Sequence, residues 1–290
     1  MMGVKGRAAL AIFFIIIFFG SLWFYGGLDG HKDYCFKIYI QKDQSVNSSK
    51  NNTSNELVKL EVCPGQKFQV AFLLMNLQAA PVSSSDVMLK PYLASWDELI
   101  KFMEALGPMV GLISQEIESK TSIIRKLAEK EDEDRRQQVL DSSVERTWGG
   151  AYSSVRSMIA VELDRGTVDF DMMTDSGCRT LLRLHRALLW LQLFLQNLAD
   201  ENQEAMARKP SQLCRAAYRV TLAQHHSWWV RNAAELAFSS MPERQFFYKL
   251  MCVKTQAEAV VVLRRVVGAI QEVYNRTQAA LEEHEMLALP

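Results

Sequence analysis

A chain of 290 residues, 49% of them hydrophobic, can bury a full core and still carry extra segments. Its 33 basic side chains balance 33 acidic ones, leaving no net field of the kind that draws a protein to nucleic acid. Its five cysteines (Cys35, Cys63, Cys178, Cys214, Cys252) are too few and scattered for a disulfide scaffold, and none has a CxxC or Cys/His spacing that would hold zinc.

Lys5 and Arg7 precede an unbroken apolar run from Ala8 to Gly27. About 20 apolar residues cross a bilayer core, so the run is just long enough. It exceeds the roughly 7–15 residues of a signal h-region, no A-x-A site follows, and Trp23 and Tyr25 stand where an interfacial belt would lie. Residues 1–30 read as a signal anchor giving a single-pass membrane protein. A cleaved signal peptide, leaving a secreted or luminal one, is the alternative. Lys5 and Arg7 are matched by Lys32 and Lys37, so charge does not choose the membrane side. Residues 31–65 form a polar linker with sequons at Asn47, Asn51 and Asn52 and a cysteine near each end, Cys35 and Cys63. That suits an exoplasmic stalk with a glycan and a disulfide; a flexible cytosolic linker is the alternative.

From Phe68 onward the periodicity is helical, without repeats or sustained alternation. It predicts helices over Phe68–Gln78, Asp86–Tyr92 with Ser95–Leu106, Met109–Glu129, Gly149–Glu162 and Asp175–Ala199. Further helices are predicted over Gln212–Gln224, Ser227–Ser239, Glu243–Met251 and Gln256–Met286. The charged run Glu129–Gln137 reads as a solvated helix end and loop. Residues 66–290 therefore form one all-α domain.

The segment Ser176–Leu198 organises that domain. Asp175 or Ser176 can cap it, and no Gly or Pro interrupts it after Gly177. At about 100° per residue, Arg179, Arg183, Arg186, Trp190, Phe194 and Asn197 fall on one stripe, with leucines covering the rest. A cation buried at the start of such a helix needs an anion, from the chain's own acids or from a ligand. A ligand with an anionic head and a greasy tail would match the stripe from end to end.

No GxSxG, HExxH or phosphate-cradling glycine loop is present. His185 or His226 could pair on paper with Cys178 or Cys214, but a cysteine among leucines behaves as a small buried hydrophobe. Arg179 and Arg183, one turn apart, can clamp a phosphate or form surface ion pairs. Glu116 and Lys120, spaced i, i+4, can meet a polar ligand or simply pair with each other. In HHSWWVRN, Ser227 can cap a helix whose Trp229, Ala233 and Leu236 face the core. His226 then lies in the loop before that helix, and Trp228 is left exposed, as suits a membrane–water interface.

The strings KPYLASWDELIKFMEALG, SGCRTLLRLHRALLWLQLFLQNL and LAQHHSWWVRNAAELAFSSMPERQFF resemble the glycolipid transfer protein superfamily, and within it the ceramide-1-phosphate transfer branch. The similarity runs from Lys67 to Pro290. It implies an all-α, two-layer helical sandwich whose interior takes the lipid chains while a surface cleft holds the head group. Lys120, Arg179 and Arg183 match that branch's phosphate-binding residues. His226 matches the histidine that contacts the ceramide amide, and Trp228 the tryptophan near the membrane-docking face. Arg183 stands where the sugar-binding branch has a stacking tryptophan, which argues against a glycosyl head. Glu116 replaces the family's aspartate at the amide and hydroxyl, reaching one methylene further.

The resemblance implies a non-enzymatic protein that transfers or binds ceramide-1-phosphate between membranes, as a monomer, without cofactor, metal or nucleic acid. Its partners would be the sphingolipid and a phospholipid membrane surface. A membrane-tethered sensor or receptor, or an interaction module that has lost transfer, is the alternative.

Overall fold

The structure, a computed structural model, describes residues 62–82, 85–139 and 150–290. The apolar run 8–27, Cys35 and the sequons at Asn47, Asn51 and Asn52 lie outside the described residues. No helix among the described residues is long and apolar enough to cross a membrane.

The chain enters as helix α1 (Val70–Ala79) and a small antiparallel hairpin, β1 (Pro81–Val82) and β2 (Asp86–Val87). Helices α2 (Leu89–Ala105), α3 (Pro108–Val139), α4 (Val155–Asp164) and α5 (Gly177–Leu198) follow. Next come a short α6 (Gln203–Ala207), then α7 (Pro210–Thr221), α8 (Trp228–Ser239), α9 (Arg244–Leu250) and α10 (Gln256–Glu283). Single 3₁₀ turns cover Ala223–His225 and Met286–Ala288. Most boundaries follow local chemistry. Ser154, Ser176, Ser227 and Thr255 cap α4, α5, α8 and α10 with their side chains, and Pro210 opens α7, where its missing N–H costs nothing.

Three predicted elements are corrected. Asp86 and Val87 form a strand, and a single helix starts at Leu89; Pro91 falls in its first turn, where no intrahelical N–H bond is needed, so α2 runs unbroken. The Glu129–Gln137 run is helix rather than loop, because Glu131 is buried against Arg165 in a two-pronged pair of 2.5 and 2.8 Å. α10 stops at Glu283, and Glu285, at φ +57°, turns the chain into the last 3₁₀ turn. The cysteine pairing is corrected too. Cys63 is joined to Cys252, with Cα atoms 5.7 Å apart, rather than to Cys35. Cys178 and Cys214 are free and buried.

α5 is the central strut, packed on α10, α7, α3 and α4. Leu181, Leu184, Leu188, Leu191, Leu195 and Leu198 are buried, and so are Trp190 and Phe194 on the opposite stripe. Trp190 packs against Tyr218 and Phe238, and Phe194 meets Phe247 edge to face at 5.9 Å. Each such side chain fully removed from water contributes about 1.5–3 kcal/mol.

A buried acid sets where this helix begins. The Gly177 and Cys178 N–H groups donate to Glu162 Oε1 and Oε2 at 2.6 and 2.9 Å, and the Tyr152 hydroxyl donates to Oε1 at 2.5 Å. The carboxylate sits on otherwise unpaired N–H groups at the positive end of the helix dipole. Gly177 is required there: a Cβ would stand 2.6 Å from Met158 Sδ and 2.8 Å from Glu162 Oε1.

His185, midway along α5, is 2% exposed, stacks on Tyr274 at 4.1 Å and shares a 2.5 Å hydrogen bond with Gln278. Burial, only partly offset by Gln278, lowers its pKa to about 4. An unfolded chain takes up this proton below about pH 6.5 and the folded one only near 4, so the imidazole destabilises the fold as pH falls through that window. The loss should reach about 3 kcal/mol. Urea midpoints between pH 7 and 4 should fall more steeply for the wild type than for His185→Gln; parallel curves would exclude His185 as the source.

Candidate functional site

The start of α5 carries the arginines. Arg179 is only 7% exposed. Its Nε donates to the Pro290 carbonyl and its Nη1 to the Thr174 carbonyl at 3.0 Å, while Nη2 is buried with no hydrogen-bond partner. Burial first, and the neighbouring Arg183 second, push its pKa below the usual guanidinium value; Asp175 offsets part of this. Arg183, one turn on, is half-buried and makes no hydrogen bond among the described residues. Arg186 donates to the Leu287 carbonyl at 2.8 Å, and burial and Arg183 lower it as well. None of the three lies within ion-pair distance of an Asp or Glu side chain among the described residues; the oxygen that Arg179 Nε meets belongs to Pro290, the last residue of the sequence. Surface pairing with Asp or Glu side chains, the alternative left open by the sequence, is not how this cluster is balanced. Backbone oxygens of Thr174, Leu287 and Pro290 hold two of the guanidiniums, and a buried N–H edge of Arg179 remains unpaired.

The remaining candidate residues come from α3 and the loop before α8. Lys120 pairs with Glu116 at 2.9 Å, and the lysine side chain is 16% exposed against 69% for the glutamate. His226 Nδ1 is 2.8 Å from the Tyr218 hydroxyl. Burial and then His225 lower its pKa, and the field of Glu116 raises it in part. Burial and the field of Arg186 lower His225 in turn. These couplings run without a break from Arg179 through Arg183, Arg186, His225, His226 and Glu116 to Lys120. α3 packs directly on α5 and on α8, which is how residues more than a hundred positions apart come to feel one another.

Trp228, two residues beyond His226, is 58% exposed, as expected, and stands edge to face with Trp229 at 4.5 Å. The expected core face of α8 is wrong. Trp229 and Leu236 are 76% and 60% exposed, and Ala233 is exposed with them; Ala234, Ala237 and Phe238 are buried instead. The helix is turned by one residue, about 100°, because Phe238 fills the space beside Trp190 and Tyr218.

Arg186, His225 and Tyr218 are members of the cluster that the site residues picked from sequence leave out. Arg186 was marked only by its place on the cationic stripe; nothing local marked Tyr218. Among the described residues no three His, Cys, Asp or Glu side chains gather as metal ligands. Burial raises the thiols of both Cys178 and Cys214, which keeps them protonated.

An all-α fold with an arginine cluster that no Asp or Glu side chain among the described residues pairs fits a carrier of anionic lipids, and the comparisons with known proteins agree. The chain belongs to the glycolipid transfer protein family, whose model (Glycolipid transfer protein, GLTP) matches residues 87–253. Ceramide-1-phosphate transfer protein of Xenopus laevis is 36% identical over 229 residues, covering 78% of this chain and 98% of that one. The Homo sapiens protein of the same name is 36% identical over 230 residues, covering 77% and 97%. The crystal structure of human ceramide-1-phosphate transfer protein in complex with 2:0 ceramide-1-phosphate superposes with a TM-score of 0.66 at 34% identity, over 77% of this chain and 99% of that one.

Proposed function

We propose that this protein binds a phosphorylated sphingolipid, ceramide-1-phosphate, and transfers it between membranes. The observation that carries the reading is the cluster Arg179–Arg183–Arg186, which no Asp or Glu side chain among the described residues neutralises and in which the buried Arg179 Nη2 lacks a partner. A phosphomonoester bears roughly −1.5 to −2 charge and three acceptor oxygens, so it supplies both the charge and the acceptor. Arg179 and Arg183 clamp the phosphate with planar donor forks, and Lys120 adds a point charge from α3. Glu116 accepts from the ceramide amide and hydroxyl. His226 is neutral, and a Tyr218 hydroxyl donating to Nδ1 leaves Nε2–H free to donate to the amide carbonyl. Trp228 seats the mouth of the cleft at a phospholipid membrane surface. The lipid's chains enter the apolar interior around α5, which replaces the bilayer as their solvent. That replacement matters because each methylene exposed to water costs about 0.8 kcal/mol.

The domain acts as a monomer tethered by residues 1–30 through the linker 31–65. A 35-residue linker spans at most about 120 Å. Such a leash favours work near one membrane, so lipid sensing without long-range transfer is the second reading. The Cys63–Cys252 disulfide supports an exoplasmic or luminal placement, since such bonds persist in oxidising compartments.

Residues 62–290 suffice for the test. The described core closes between Cys63 and Leu289, and relatives matching only 77–78% of this chain are covered almost end to end. Native mass spectrometry of this segment, secreted from cells, should detect a co-purified or added ceramide-1-phosphate at one lipid per monomer, and an unreduced digest should contain the Cys63–Cys252 peptide pair. Failure to bind any phosphosphingolipid would overturn the functional reading, and free thiols at 63 and 252 would remove the argument for an oxidising compartment.

A further inference from the structure

The connection between α4 and α5 supplies none of the side chains assigned to the head group, yet it displays three large apolar side chains to solvent. Phe170, Met172 and Met173 are 47%, 65% and 70% exposed. They are held on a framed loop. At its start, the Thr167 N–H and hydroxyl both donate to the Glu162 carbonyl at 3.0 Å, and Val168 packs on the core. At its tip, Asp169 Oδ1 accepts the N–H groups of Asp171 and Met172 at 2.8 and 2.9 Å. At its end, the Thr174 carbonyl accepts Arg179 Nη1. Three exposed apolar side chains held on a fixed scaffold present an apolar patch of the kind that marks an interaction surface.

We propose that this loop is a second membrane wedge, which inserts Phe170, Met172 and Met173 into a zwitterionic phospholipid bilayer on the side of the cation cluster away from Trp228. The placement carries the argument. Thr174 touches Arg179 at one end of the arginine stripe; at the other, Trp190, one turn beyond Arg186, packs on Tyr218, whose hydroxyl bonds His226, two residues before Trp228. Arg179 and Arg186 are seven residues apart on one helix, which is about 10 Å. The two apolar patches therefore lie toward opposite ends of the cationic stripe, so that one bilayer surface meeting the stripe would meet both. A bilayer offering a lipid head to the arginines has to lie against both. Asp169, Asp171 and Asp175 make the loop acidic, so apolar insertion drives its docking without help from anionic lipid, and a zwitterionic surface is the fitting occupant. Because Thr174 also holds Arg179, seating the loop fixes the guanidinium at the depth where a phosphate emerges from the membrane. The inference rests on the head-group reading above, and its test separates the two.

In residues 62–290, Met172→Cys labelled with the environment-sensitive dye NBD should shift its emission to the blue on adding phosphatidylcholine vesicles; Cys178 and Cys214 are buried and do not compete for label. The triple variant Phe170→Ser, Met172→Ser, Met173→Ser should partition onto the same vesicles at least about tenfold more weakly than the wild type. It should still bind water-soluble 2:0 ceramide-1-phosphate with wild-type affinity, which also confirms that it folds. An unchanged emission spectrum, or wild-type partitioning by the triple variant, overturns the wedge. Failure of the wild type to bind the soluble lipid overturns the head-group reading, and the dye shift then decides the wedge by itself.

Discussion

Arg179→Leu should abolish ceramide-1-phosphate binding, with an affinity loss of at least about a hundredfold, while leaving the domain folded. The guanidinium is the most deeply buried of the cationic groups assigned to the phosphate, and it reaches its site with one N–H edge unpaired. A charge-assisted hydrogen bond contributes about 1.5–3 kcal/mol, and a two-pronged contact loses two of them at once. Leucine fills most of the same space without the cost of desolvating a charge. It frees only the Thr174 carbonyl and an oxygen of the exposed terminal Pro290. Vesicle transfer assays and native mass spectrometry measure binding, and circular dichroism measures the fold. Wild-type uptake by a helical Arg179→Leu protein would remove the phosphate assignment altogether.

Glu162→Ala should have the largest effect on stability, about 3–5 kcal/mol, a large part of what a domain of this size commands. The carboxylate is 3% exposed and accepts from Gly177, Cys178 and Tyr152 together. Alanine leaves two helix N–H groups and a hydroxyl in a space too tight for easy rehydration. Because α5 carries Arg179 in its first turn, the loss should also loosen the head-group cluster, so binding should weaken alongside the urea midpoint. A midpoint lowered by the equivalent of less than about 1 kcal/mol would mean that Ser176 alone anchors the helix.

Much of this was legible along the chain because its causes are local. The Ser176, Ser227 and Thr255 caps follow from side chains within three residues of the N–H groups they satisfy. The alignment of Arg179, Arg183 and Arg186 follows from the helical repeat alone. The face of α8 was misjudged because it carries two apolar sets, Trp229–Ala233–Leu236 and Ala234–Ala237–Phe238, and either one satisfies helical spacing. The fit of Phe238 beside Trp190 and Tyr218, from two other helices, selects between them. The long α3 was read as too short because Glu131 resembles a solvated acid until Arg165 is seen to cover it.

The sequence by itself determined an all-α domain following an apolar run, the strut α5 with its cationic start, and the i, i+4 placement of Glu116 and Lys120. Each of these depends on residues within a few turns of one another. Only the tertiary structure decided that Cys63 meets Cys252 across 189 positions, that Glu162 seats the N-terminus of α5, and that backbone oxygens of Pro290 and Thr174, not an Asp or Glu side chain, hold Arg179. Those contacts join segments distant in sequence, and their energies depend on which surfaces the packed helices bring together, a quantity no local pattern of residues contains.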